Sequence, residues 1–365
     1  MANRSTNENK GLNKWIDGHQ LDYTNTDFST SKGENPPEPV VTITSASGGN
    51  IADAQPMTGS PNPNNPGGSW KYHIWQYPCP APQSSFVVSA GTANVEYLVV
   101  GGGGGGQGSS GGGGGRGGGG GGGARTNVPG VTTQDGQDTP ITAPVMPIGP
   151  GTYAVTIGTG GPRSNVHNTP AGRGNPSTIA FPSPVVADGG GGGFYPEGSP
   201  NEGPGGSGGA NMNTGPTVVG FGNRDPSNNP TPHQGFPSGV GGGNAAAGGG
   251  GSGQYGGNAG TGPTGSGGYG GLGINVVIAP PSYGTPGPSP GRWFGGGGGG
   301  AKSWKQSGSG GAAGAGGGGA GAGSNNTGGG DATNHTGGGG GGGCGPNQVY
   351  GGWGGHGIVI VRYPA

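Results

Sequence analysis

Apolar residues are sparse along this chain and gather in short runs. Residues 40–44 (VVTIT) alternate at period two, and residues 70–77 (WKYHIWQY) form a strongly aromatic run. Residues 85–88, 95–100 (VEYLVV), 153–157 (YAVTI) and 358–363 (IVIVRY) follow. Alternation predicts half-buried strands, and an unbroken β-branched run predicts a strand buried within a core. Clusters of Pro, Asn and Gly such as residues 59–68 (GSPNPNNPGG) punctuate the runs as turns. No segment carries the 3.6-residue period of an amphipathic helix; residues 12–16 could close one turn at most.

Between the strands the pattern stops being hydrophobic or polar and becomes glycine. Residues 101–106, 111–115, 117–123, 189–193, 248–251, 295–300 and 337–343 are uninterrupted tracts. Glycine makes up 106 of 365 residues and proline 36, a composition that ordinarily signals low complexity. Collagen is excluded because no G-x-y register is kept. A soluble disordered chain usually stays in solution through charge, and charged residues here are only 8% with a net charge of -1.

Ordering glycine costs about 0.5–1 kcal/mol more per residue than ordering alanine, with no side chain to bury in return. Stabilisation must therefore come from backbone packing and peptide hydrogen bonds, each contributing about 0.5–1.5 kcal/mol net. An isolated tract is expected to be disordered, and many tracts bonded to one another to be ordered. A polyproline-II-like helix has three residues per turn and no internal hydrogen bonds, so its N–H and C=O groups bond sideways. With glycine at each position, such rods can pack on several faces. Serine or alanine, as at Ser109, Ser110, Ala312 and Ala313, would occupy outward faces.

The expected fold class is all-β plus irregular, with essentially no α-helix. Three segments are expected: a polar N-terminal arm over residues 1–39, a β-rich shoulder over 40–100, and a polyglycine-II domain over 101–365 closed by the strand at 358–363. Long loops rich in Asn, Thr, Pro and aromatics hang on that scaffold, where binding usually resides.

GGGGGGAKS at residues 295–303 approaches a phosphate loop, but Ala301 stands where glycine must precede the lysine and no helix follows. His73, His167, His233, His335 and His356 lack the spacing of a zinc site, and Cys79 and Cys344 are too few for a disulfide framework. Asp135, Asp138, Glu197, Glu202 and Asp225 read as solvated loop carboxylates without a partnered base. Arg116, Arg125 and Arg173 form no RGG array and read as isolated surface arginines. No apolar stretch approaches the ~20 residues of a membrane span, and the first residues carry no secretory signal. The expectation is a non-enzyme, with no cofactor, no metal, no nucleic acid and no membrane insertion.

Four landmarks carry a resemblance: the aromatic strand WKYHIWQY, SSFVVSAGTANVEYLVVGGGGGG, GTYAVTIGTGG and the closing GGWGGHGIVIVRYP. Together they resemble the glycine-rich domain of phage and cyanophage virion proteins, commonly tail fibres. In style the glycine-rich part is similar to polyglycine-II tail-fibre tip adhesins. The resemblance implies a virion structural protein on the phage tail or capsid exterior, made in the bacterial cytoplasm and displaying loops to a host cell-surface receptor.

A homo-oligomer, a trimer by analogy, is expected. The arm would join other virion proteins (tail adaptor or tube, or capsid) through Leu12, Trp15, Ile16, Leu21, Tyr23 and Phe28. Candidate receptor-binding residues are Phe194, Tyr195, Phe221, Arg224, Phe236, Tyr283, Trp293 and Trp304, because aromatics give large contact area at small entropic cost. The same aromatics could instead plug the ends of the glycine bundle. A capsid decoration or head-fibre protein, and an ice-binding or cell-wall glycine-rich protein, stand as alternatives.

Overall fold

The computed structural model describes residues 43–49, 70–79, 84–109, 114–129, 131, 146–165, 169–194, 205–211, 234–261 and 265–364. Contacts divide the chain into two units, Met1–Val41 and Thr42–Ala365; all described residues belong to the second. The expected arm, with its six docking residues, lies outside the described residues.

The fold is all-β plus irregular, without a helix among the described residues. The strands are β1 (Ser45–Ser47), β2 (Trp70–Gln76), β3 (Ser85–Ala90), β4 (Ala93–Val100), β5 (Ala124–Thr126), β6 (Met146–Ile148), β7 (Gly151–Thr156), β8 (Ser177–Ile179), β9 (Val185–Ala187), β10 (Ile274–Val276), β11 (Arg292–Phe294) and β12 (Ile358–Pro364). One sheet runs β2-β12-β4-β5, with β6 also paired to β4; a second runs β1-β3-β7-β8-β9; β10 and β11 form a hairpin.

The last strand is therefore central: β12 pairs antiparallel with β2 on one side and β4 on the other. Its side chains alternate between two cores. Val359, Val361 and Tyr363 join Trp75, Val95, Tyr97, Val99 and Phe86 in the cluster that the second sheet covers. Ile358 and Ile360 join Tyr72, Ile74, Leu98, Val100 and the hairpin residues Ile274, Val276 and Phe294 on the opposite face. A sheet buried on both faces explains why IVIV and YLVV are apolar at consecutive positions. One ion pair sits within this sheet: the Arg362 guanidinium meets Glu96 Oε2 at 2.6 Å, both side chains being about 95% buried, and it lies 4.3 Å from the Trp70 ring centre.

The expected strand at 40–44 is displaced. Ile43 is buried but lies outside any strand, and β1 begins at Ser45, with a register irregularity against β3 before Ala46. Residues 40–42 lie outside the described residues. Strands β5, β6, β8, β9, β10 and β11 carry three residues each, too few for a period to show in the sequence.

The glycine tracts form laterally bonded rods, and residues 101–109 show the rule. Gly101, Gly104 and Gln107 donate to Gly123, Gly120 and Gly117; Gly102 and Gly105 to Asn175 and Gly172; Gly103, Gly106 and Ser109 to Gly355, Gly352 and Val349. Carbonyls 103 and 106 accept from Gly161 and Ser164, 102 and 105 from Gly190 and Gly193, 104 and 107 from Gly340 and Gly343. Each neighbour is met at every third residue, so three donor neighbours and three acceptor neighbours make six, at 2.8–3.2 Å. Donor neighbours run antiparallel to the rod and acceptor neighbours parallel to it. That is the lateral bonding of a helix with three residues per turn.

The rods at 114–123, 295–302 and 337–343 are also surrounded. The first donates to 337–343, 188–191 and 244–250, and accepts from 101–107, 207–210 and 298–301. Glycine is required here for space. Gly101 to Gly106 have no left-handed φ, yet a Cβ at Gly103 would collide with the Gly338 carbonyl and one at Gly104 with the Gly191 carbonyl. Left-handed φ belongs to the entry turns, +71° at Gly295 and +70° at Gly337.

Candidate attachment surface

A bundle in which each interior rod touches six others leaves side chains two places to go. They can stand on the perimeter or be swallowed where a tract ends. Of the aromatics expected to serve recognition, three are buried in the second kind of position and two are half-buried.

Phe194, at the end of the 189–194 rod, is buried, and its N–H donates to the Ala210 carbonyl. Phe236 is buried with its ring centre 5.0 Å from that of Tyr255, edge to face. Trp293 is buried in β11 and donates from Nε1 to the Ser289 carbonyl. Tyr283 is half-buried against the second core, and its carbonyl accepts from Arg292 Nε. Trp304 is half-buried beside Ala301, Ala322 and Cys344, with Lys305 Nζ 5.4 Å above its ring. Burial leaves Phe194, Phe236 and Trp293 almost no face to offer a partner. Tyr195, Phe221 and Arg224 lie outside the described residues.

Other expectations about side chains change as well. Ser109 is buried rather than outward and accepts from Arg116 Nη2; Ala312 and Ala313 are outward. Arg116 is 1% exposed, so it is no surface arginine. Lys302, in the loose phosphate-loop match, is buried and gives its ammonium to the Gln306 carbonyl at 2.7 Å, a structural bond that occupies it. Cys79 and Cys344 are free thiols, and burial pushes both pKa values up. No group of three or more His, Cys, Asp or Glu among the described residues could hold a metal ion.

The perimeter carries a different set of aromatics, on residues 349–357 (VYGGWGGHG). Tyr350, Trp353 and His356 recur every third residue, while Gly351, Gly352, Gly354, Gly355 and Gly357 between them are buried. Backbone bonding explains the alternation. Gly351, Gly354 and Gly357 donate to Ser164, Gly161 and Gly158, and Gly352 and Gly355 donate to Gly341 and Gly338. The third face alone is left for side chains, and they line up along the rod at a spacing of ~9 Å.

Neighbours stiffen that line. Arg163, exposed on the adjoining rod, places its guanidinium 4.5 Å from the Tyr350 ring centre and 5.7 Å from that of Trp353. The Trp353 N–H donates to Asp331 Oδ1, and the Gly160 N–H donates to His356 Nδ1, both at about 2.8–2.9 Å. Accepting that bond fixes the neutral His356 tautomer with its proton on Nε2. Burial and the nearby His335 hold the His356 pKa below its ordinary value. Tyr77 packs on His356 at 4.5 Å between ring centres and stays 42% exposed. Trp353 and Tyr350 are 46% and 45% exposed, unusual for such large side chains. The signal was present in the sequence as Y-G-G-W-G-G-H, a triplet spacing meaningful only once three residues make a turn.

Fold and surface together define a glycine-rod scaffold whose interior is mostly backbone and whose exposed aromatics stand on its rim. The profile of a glycine-rich domain family matches residues 80–364, and the chain belongs to that family. No curated protein matches the chain at a significant level.

Proposed function

We propose that this protein is a non-enzymatic structural component of a phage virion, a tail fibre or fibre-tip attachment protein that holds recognition side chains on a glycine-rod scaffold. The observation that carries the reading is the ridge of exposed Tyr350 and Trp353 with half-buried His356, at every third residue of a laterally bonded rod. Aromatic side chains locked in place lose little entropy on contact, which suits a surface that must engage a partner. The four sequence landmarks that resemble the glycine-rich domain of phage virion proteins support the same reading.

Two measurements test it. Antibody labelling of intact virions, seen by electron microscopy, should place the chain on the tail; labelling confined to capsid vertices or faces would favour a head fibre or decoration protein instead. Purified protein added to susceptible cells should block adsorption, and full adsorption at saturating protein would count against receptor binding.

A further inference from the structure

The rim ridge combines three properties that narrow its ligand. Its aromatic faces repeat at ~9 Å along a straight rod, set by the three-residue turn. That interval is close to the length of a disaccharide in an extended polysaccharide, so successive rings can each stack on a sugar of one chain. Its cation is free of a counter-ion: Arg163 lies between Tyr350 and Trp353 and meets no carboxylate among the described residues, while Asp331 is turned to the Trp353 backbone N–H. A guanidinium presents a planar fork that fits a carboxylate in two parallel bonds. The ridge is also held in place before any ligand arrives, by the backbone bonds on both sides of its rod and by the Gly160–His356 bond.

We propose that Tyr350, Trp353 and Arg163 form a binding track for an extended acidic polysaccharide, with sugar rings on the two aromatic faces and a carboxylate on the guanidinium. The track deepens the attachment reading by naming the chemistry of the receptor. A flat aromatic face accepts the C–H face of a pyranose, and the guanidinium discriminates uronic acids from neutral sugars. Ligand length matters: a chain reaching from Tyr350 to Trp353 uses both platforms, whereas a monosaccharide uses one.

Affinity electrophoresis tests this with the purified chain, in gels containing polymannuronate, a β-linked neutral mannan, or dextran. The wild type should be retarded by polymannuronate and far less by the neutral polymers. Trp353→Ala should weaken that retardation at least about tenfold, as expected of a central aromatic anchor. Arg163→Gln should remove the preference for the acidic polymer, and Tyr269→Ala, an exposed aromatic away from the ridge, should leave it unchanged. Thermal unfolding of each variant should match the wild type, because these side chains face outward. No retardation of the wild type by polymannuronate would overturn the proposal, as would equal retardation by neutral mannan or an unaffected Trp353→Ala variant. A Trp353→Ala variant that sediments as a smaller species than the wild type would overturn it too, assigning the ridge to contact between copies. Polysaccharide binding by a protein that never blocks adsorption would leave the track standing and remove the attachment reading.

Discussion

Replacing Gly104 by alanine tests the claim that the bundle excludes side chains. Gly104 lies in the centre of the 101–109 rod, and its new methyl carbon would run into the Gly191 carbonyl. Three lateral bonds meet there: Gly104 N–H to Gly120 O at 2.8 Å, Gly340 N–H to Gly104 O at 2.9 Å, and Gly120 N–H to Gly191 O at 2.8 Å. Separating the rods enough to admit the methyl disturbs all three. At about 0.5–1.5 kcal/mol net each, the loss is about 2–4 kcal/mol, and more if a buried donor is left unpaired. Against a typical total of about 5–15 kcal/mol, that is a large fraction. Gly149→Ala is the control, because its new methyl meets only the Thr92 methyl, at 3.4 Å, with no left-handed φ. Restricting the unfolded chain there should be neutral or stabilise by up to about 1 kcal/mol. Urea unfolding followed by tryptophan fluorescence measures both. Equal midpoints for Gly104→Ala and the wild type would refute the close-packed bundle.

Three other predictions follow from buried groups. Glu96→Gln should cost about 3–5 kcal/mol by leaving the Arg362 charge buried without its carboxylate, whereas Glu96→Leu with Arg362→Met should cost much less; a urea double-mutant cycle reads the difference. Burial, opposed by the hydrogen bond to the Gly48 carbonyl and helped by Lys71, holds the His73 pKa below 6.5. The unfolded chain then binds a proton that the folded chain refuses, so this contribution is complete above pH ~6.5 and is lost as pH falls below it. The midpoint should drop between pH 7.5 and 5.5, and His73→Gln should drop less; an identical drop would exclude His73 as a source. Native protein should release one thiol equivalent promptly to a thiol reagent, from half-buried Cys79, and a second from buried Cys344 only on unfolding.

Much of the fold was legible because strongly apolar runs have few places to go. The strands at 70–76, 93–100 and 358–364 stand where VEYLVV, IVIVRY and the aromatic run put them. The exchange of side chains between two cores accounts for their unbroken apolarity. The three-residue strands were not legible, since β8 and β9 hold their places through neighbours that the local sequence does not reveal.

The surface was harder to read. Aromatic identity alone nominated Phe194, Phe236 and Trp293, and the fold buries all three where rods or strands end. Tyr350 and Arg163 were missed because their meaning lies in a spacing and in a neighbour 187 positions away, by the difference of their numbers. A glycine tract hides its register, and only the bonding partners reveal which third residue faces out.

That register has a consequence for how such a chain can change over time. Because neighbours are met at every third residue, inserting one residue into a rod turns each later residue by about 120° and hands its donors to the wrong partners. Inserting three restores the facing and lengthens the rod by ~9 Å. Changes in rod length are thus quantised, and variants that survive should gain or lose residues in triplets. The exposed perimeter positions, Tyr350 and Trp353 included, remain open to exchange of side chains. A lattice this intolerant inside can be permissive at its rim, changing what it presents while its architecture stays fixed.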